Sequence, residues 1–513
     1  MSRKKVLFAS FWLFVIIVNC IMLIKLPTYP FTDLPNHLAE STIYKYRNDS
    51  SSVLSSAYQI TIIWYQSTIA HVVLGSLFPD VVWSYRVLYI LYVISLPLVV
   101  FLIAKKHSWN TCISLLSFLV LWNFAAIWGF SGYTFSIPLV LLYFYIHLNY
   151  LSKRSVSNGL YVCIILLILY WFHHLAFLFA GLCFICIEIY DSLTGRYAKS
   201  MLIKWLPLLP TCLFFIIWMI NDPGFHAFSF FSFLKEYYQF YFIQSLGRRL
   251  FLLLTIDGRA IAQGLLGHIV ALLFSAAIVI PVIVCGYRYK KHPFQITRLQ
   301  FATLIFTGAA FLCFWVLPSN LPGQAFLYKR FSVFFLVGLI IVLSWVVPAL
   351  WKNFPPILVV SAVLMYSILW FHYFIQFYPI SLDFTKFYPR GSEFTHSTVA
   401  SIIDSPDYRG KAVLIHYNNY QIIWNHGVAP TKLNRYRFGL VKEKKKLPLY
   451  IEWVKLVNTL AGVKEIIDSY SRMDYIISQG KRPYQILSKR PDYIEIRRLN
   501  DWRLYKKEKQ YKW

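Results

Sequence analysis

Apolar runs of about 20 residues, separated by short polar stretches with tight Lys/Arg clusters, recur from the N-terminus to residue 378. A run of that length crosses roughly 30 Å of hydrocarbon as a helix, with every backbone polar group paired inside it. The pattern predicts about eleven membrane helices. The first ends near Ile24, and the others fall at 87–104, 111–129, 134–151, 158–173, 175–190, 202–220, 261–286, 299–317, 331–349 and 356–378. The first run, behind Arg3-Lys4-Lys5, is too long for a signal peptide and no small-residue cleavage site follows it, so it reads as an uncleaved span.

The basic clusters orient this array. With Arg3, Lys4 and Lys5 inside, the loops holding Lys105/Lys106, Lys153/Arg154, Arg196/Lys199, Arg288/Lys290/Lys291 and Lys352 all fall on the same side. An odd number of spans then puts the C-terminus outside. Two long loops, 26–86 and 221–260, fall on the outer side as well. Their mixture of aromatic residues and scattered cations suits interfacial helices lying on the bilayer.

After Pro379 the pattern changes. β-branched or alternating runs (Ala412–His416, Tyr475–Ser478, Tyr493–Ile496, Trp502–Tyr505) surround a helix-like stretch near 449–470. The fold class expected is therefore an all-α polytopic transmembrane bundle, N-in and C-out, over 1–378, with a small extracytoplasmic α/β domain over 379–513.

Composition agrees: 58% of residues are hydrophobic and only 14% charged, against about 25% charged in ordinary soluble domains. A net charge of +28 would point to nucleic acid in a soluble protein, but half of the 50 Lys and Arg lie beyond residue 378. Much of the rest sits in the loops, and no nucleic-acid-binding motif is present. All eight cysteines fall in apolar spans, which argues for inert thiols and against a disulfide framework. An integral protein of a bacterial inner membrane, its C-terminal domain periplasmic, is the localisation expected.

Candidate chemistry concentrates where acids are scarce. Nine occur before residue 379, and a carboxylate at or near a bilayer is costly to keep. The densest polar cluster is Phe31-Thr32-Asp33-Leu34-Pro35-Asn36-His37-Leu38-Ala39-Glu40. A helix starting near Thr32 would tolerate Pro35 in its first turn and place Asp33, His37 and Glu40 on one face. Three roles stay open: Thr32 or Asp33 as a helix cap with His37 and Glu40 solvated, Asp33 as a general base, or Asp33 and His37 as ligands of a divalent cation. No cofactor is otherwise indicated.

Other candidates sit at the outer ends of spans. Trp122-Asn123-Phe124 and Trp128-Gly129-Phe130-Ser131-Gly132-Tyr133 form an aromatic hairpin. His173 and His174 stand at another outer turn; if both are helical, their side chains diverge by about 100°, one lining a cavity and one at the interface. Lys329 and Arg330 open a span from the outer side, against the positive-inside pattern, and suit the phosphate of a lipid carrier. Arg86 is a second such cation. For both, snorkelling to headgroups is the plain alternative.

This layout resembles the GT-C superfamily of membrane glycosyltransferases: a first span, a long extracytoplasmic loop opening on an acidic residue, a helical bundle and a C-terminal extracytoplasmic domain. The resemblance implies a lipid-phosphate-linked sugar donor, with a glycan, lipid or protein acceptor. It covers 1–380 as architecture and, at residue level, only the loop with Asp33. Many members carry an adjacent acidic pair there, where this chain reads Thr32-Asp33-Leu34. Two further readings stand beside it. A transporter or flippase of lipid-linked sugars would show mid-span charges and repeated halves. A non-catalytic assembly protein would keep the fold without the chemistry.

Overall fold

The structure, a computed structural model, describes residues 3–60, 62, 66–194, 204–221, 247, 249, 264–291, 295–319, 326–351, 356–431, 433, 440–444 and 459–508. Helix α1 (Arg3–Lys25) carries the first apolar run. The loop beyond it forms α2 (Leu34–Tyr46), α3 (Val53–Ala57), strand β1 (Tyr58–Ile60) and α4 (Ala70–Gly75). Helix α5 (Val81–Lys106) starts where the Asp80 carboxylate accepts from the Val82 amide at 2.8 Å, and it ends on Lys105/Lys106.

The bundle continues with α6 (Phe124–Trp128), α7 (Ser131–Ser152), α8 (Val156–Phe172) and α9 (His174–Leu193). Then follow α10 (Leu209–Asn221), α11 (Gly264–Lys291), α12 (Arg298–Val316), α13 (Leu327–Leu350) and α14 (Pro356–Phe387). Among the described residues, seven helices are long and apolar enough to cross a bilayer: Val6–Lys25 within α1, then α5, α7, α9, α12, α13 and α14. The chain is an integral membrane protein.

Several expectations need correction. Over 111–129 no continuous helix forms; a 3-10 segment, Ile113–Val120, leads into α6, and its side chains are all buried. The reason is its central position, where Trp122 donates to Asn19 Oδ1 (2.9 Å) and Asn123 to the Tyr92 hydroxyl (2.8 Å). The stretches at 158–173 and 202–220 fall on the shorter α8 and α10, of 17 and 13 residues. The first loop is not helical throughout: its strand β1 pairs antiparallel with a C-terminal strand, Val441–Glu443. The second loop, 221–260, lies outside the described residues except for Asn221, Gly247 and Arg249. Arg249 is buried and caps α12: its guanidinium donates to the carbonyls of Phe314 (3.1 Å), Trp315 and Leu317 (2.9 Å).

Helix α14 passes the expected boundary at 379 and runs to Phe387. Its 32 residues span about 48 Å, more than the roughly 30 Å of hydrocarbon. The excess turns brace the C-terminal region: Phe384 and Phe387 pack on Trp502, and Phe384 on Tyr417. That region adds α15 (Ser392–Thr395), β2 (Val399–Ile403), α16 (Tyr420–Asn425), β3 (Val441–Glu443), α17 (Leu460–Ser469), β4 (Tyr475–Gln479), α18 (Lys481–Leu487), β5 (Tyr493–Leu499) and β6 (Trp502–Lys507). Its sheet has the order β2-β4-β6-β5, with β2 and β4 parallel and the other pairs antiparallel. The expected strand at Ala412–His416 is instead a buried turn leading into a 3-10 turn at Tyr417–Asn419. The helix expected over 449–470 is α17; residues 445–458 lie outside the described residues.

Candidate functional site

The polar loop folds as its sequence dictates. Asp33 stands at the N-cap of α2 and Pro35 in the first turn, where a missing amide hydrogen costs nothing. The Asp33 side chain makes no capping hydrogen bond. It faces the C-terminal region instead, with Oδ1 3.2 Å from His416 Nε2 and 3.4 Å from Asn36 Nδ2. Asn419 in turn donates to Asn36 Oδ1 at 2.6 Å. The turn that begins at His416 therefore orients the acid of a loop nearly four hundred residues upstream.

The backbone under Asp33 is fixed by the aromatic hairpin. The Asp33 amide donates to the Trp128 carbonyl at 2.8 Å. Gly129 follows at φ +76°, and a Cβ there would lie 2.6 Å from the Leu34 amide nitrogen and 3.2 Å from that of Asp33. Only glycine combines this left-handed turn with so close an approach.

One turn further along α2, His37 and Glu40 meet a partner that sequence reasoning missed. His37 Nδ1 lies 3.2 Å from Glu40 Oε2 and 3.1 Å from Nε2 of His71, on α4. His71 is buried, and burial, with His37 beside it, pushes its imidazole well below the ordinary histidine range. It is therefore neutral at physiological pH. The ring rests on Gly132 of α7, where a Cβ would come within 2.9 Å of His71 Nδ1 and 3.0 Å of the Phe172 carbonyl.

The paired histidines do not diverge as expected. His173 is extended (φ −166°, ψ 120°) and caps α9 by accepting from the Leu175 amide at 3.2 Å. Its ring therefore stacks on that of His174, centroids 4.8 Å apart, and both are buried. Nε2 of His173 is 3.3 Å from Nη1 of Arg330, and His174 Nδ1 is 3.4 Å from the hydroxyl of Thr68. Thr68 adopts φ +68°, a left-handed conformation unusual for a β-branched residue, in the segment leading into α4. Burial, then coupling to the neighbouring His174, Arg330, His71 and His37, hold His173 well below its usual range. That order of neighbours places the histidines and Arg330 in one electrostatic cluster.

Lys329 and Arg330 occupy the first turn of α13, where the helix dipole adds to their charge. Arg330 is buried over the Phe130 ring at 4.1 Å, and Lys329 lies over Phe124 and Phe326, at 4.8 Å from each centroid. Both cations pack on the hairpin whose Trp128 carbonyl holds Asp33. Arg86 is placed elsewhere: it donates to the Tyr29 hydroxyl (3.0 Å) and the Leu26 carbonyl (2.8 Å), fixing the exit of α1.

A second polar cluster, not foreseen from sequence, closes the other end of the bundle. His147 of α7 lies 2.9 Å from Glu188 of α9, and Arg154 reaches both Glu188 oxygens and Asp191 at 2.8 Å. Arg298 at the start of α12 pairs with Asp191, and Lys204 stands 3.9 Å away.

No family model matches the chain, and none of the curated proteins compared with it matches. Among solved structures, it is similar to the crystal structure of the Archaeoglobus fulgidus oligosaccharyltransferase in complex with Zn and sulfate. The identity is 12% and the TM-score 0.48, over 91% of this chain and 68% of that one. Neither a residue role nor a reaction passes to this chain from it.

Proposed function

We propose that the chain is a membrane glycosyltransferase that moves a sugar from a lipid-phosphate-linked donor to an acceptor at the extracytoplasmic face. One observation carries the reading. Asp33 and the Lys329/Arg330 pair are tied to the same aromatic hairpin, the acid through the Trp128 carbonyl and the cations through Phe124 and Phe130. Such a transfer needs those two kinds of group close together. The acceptor oxygen attacks the anomeric carbon and passes its proton to the Asp33 carboxylate. The bond from that carbon to the phosphate oxygen breaks, its electron pair leaves with the phosphate, and Arg330 and Lys329 meet the growing negative charge.

The test is transfer from polyprenyl-phosphate sugars by the purified full chain in nanodiscs. Asp33→Asn keeps the side chain's size and loses its basicity, so turnover should fall about 10²–10⁴-fold with the protein's abundance unchanged. Replacing Lys329 and Arg330 together with Gln should weaken donor binding. An Asp33→Asn protein that turns over like wild type sinks the reading.

A further inference from the structure

We propose that His37, Glu40 and His71 form a divalent-cation site suited to Zn²⁺, with two imidazole nitrogens and one carboxylate oxygen as ligands. The site goes beyond the transfer reaction and does not depend on it: a chain that bound no sugar donor would still bind the ion.

Three lone-pair atoms converge between α2 and α4. His37 Nδ1, His71 Nε2 and the nearer Glu40 oxygen all lie within 4.8 Å of one another. Two of the three separations are 3.1 and 3.2 Å. Zinc–ligand bonds of about 2.0–2.2 Å in tetrahedral array place neighbouring ligand atoms about 3.4 Å apart. Two edges of the cluster are thus close to those of one triangular face of that tetrahedron, and the third, within 4.8 Å, closes by side-chain rotation as the ion binds.

Hydrogen bonding alone serves the cluster poorly. An imidazole nitrogen presents either one proton or one lone pair, yet His37 Nδ1 has two partners at hydrogen-bond distance. If it donates to Glu40, it offers nothing of its own to His71. If it accepts from His71, its lone pair opposes the carboxylate. A cation where the three atoms converge satisfies all of them together.

The ligand set also selects the ion. Two histidines and a carboxylate, with no thiolate, match the donors of open zinc sites that keep a fourth position for water or substrate. His71 and Glu40 are 2% and 6% exposed, so two of the three ligand atoms are held away from bulk water. His37 is more open, its side chain 21% exposed, which leaves a path for the ion. Two separate elements supply the ligands, so the ion would lock α4 onto α2 one turn from Asp33.

The experiment uses the full chain in nanodiscs with its affinity tag removed. The protein is stripped with chelator, incubated with Zn²⁺, desalted and analysed for zinc per polypeptide by mass spectrometry. Wild type should retain one equivalent. His71→Gln and Glu40→Gln should each weaken retention beyond the about 10–100-fold typical of losing an outer-shell partner. Asp33→Asn should keep the zinc. Substituting Co²⁺ in wild type gives a readout that needs no variant to fold: intense visible bands of a four-coordinate ion are expected. Wild type holding no more zinc than the His37→Gln/His71→Gln double variant overturns the proposal, whether or not the protein transfers sugar. A weak six-coordinate cobalt spectrum overturns it equally.

Discussion

At the scale of residues, Asp33 owes its place to backbone and its direction to side chains. The Trp128 carbonyl and Gly129 set where it stands, while His416 and Asn36 set where its carboxylate points. His416 is therefore a positioning residue in the proposed transfer. His416→Asn should lower kcat by up to about 10²-fold, the scale of a misplacement near 1 Å, and leave KM for the donor nearly unchanged. Steady-state kinetics over a range of donor concentrations separates this from simple domain glue, which would lower thermal stability and spare kcat. Asp33, His37 and Glu40 were legible as candidates because their spacing predicts one face of a helix. His71 and His416 were not. They reach the site from segments joined only by folding, and a lone histidine in an apolar chain carries no local mark of its partner. The stacking of His173 on His174 was illegible for another reason: it depends on one extended residue between two helices.

At the scale of elements, the first loop is tied to the C-terminal region. Strand β1 pairs with β3, and the buried Tyr58 hydroxyl donates to the Ala429 carbonyl (2.9 Å) while accepting from the Ala429 amide (3.3 Å). Tyr58→Phe keeps the ring and leaves two buried backbone groups unpaired. It should cost about 1–3 kcal/mol, read as a lower midpoint in thermal unfolding of the nanodisc-embedded protein. An unchanged midpoint would mean that the strap carries no load. This pairing leaves no mark in the pattern, since β1 and β3 are three residues each, too short for alternation to register. Long apolar helices were legible by contrast, because burial in lipid imposes length and composition together. The 3-10 segment at Ile113–Val120 shows where that signal misleads: a run buried by protein reads like one buried by lipid.

At the scale of the whole molecule, two polar clusters close opposite ends of one bundle. Helices α7 and α9 both begin at the Asp33 end and finish at the Glu188 end, while α12 starts at the latter. The positive-inside reading of the basic loops predicts that the Glu188 end is cytoplasmic, so a periplasm-active reporter fused after Trp513 should give signal; activity of a cytoplasm-only reporter there would invert the topology. The two ends differ in kind. At the Glu188 end, acids and bases are paired at 2.8–2.9 Å, with Arg154 bidentate on Glu188. Among the described residues, Glu188 and Asp191 are engaged by Arg154, Arg298 and His147, and only His37, Glu40 and His71 converge as a candidate ligand set. The Glu188 network ties α7, α9 and α12 together and takes no part in the proposed chemistry. Glu188→Gln removes the carboxylate charge that pairs with Arg154 and faces His147 inside the bundle. Breaking a buried pair in this way costs about 3–5 kcal/mol. The variant should melt earlier and accumulate less, yet each folded molecule should transfer sugar at the wild-type rate. Asp33→Asn should do the reverse, melting normally and failing to turn over. Measuring melting midpoint and turnover per folded molecule on both proteins decides the matter. If Glu188→Gln instead abolishes turnover without moving the midpoint, the Glu188 end belongs to the mechanism and the division between a reactive end and a structural end is wrong.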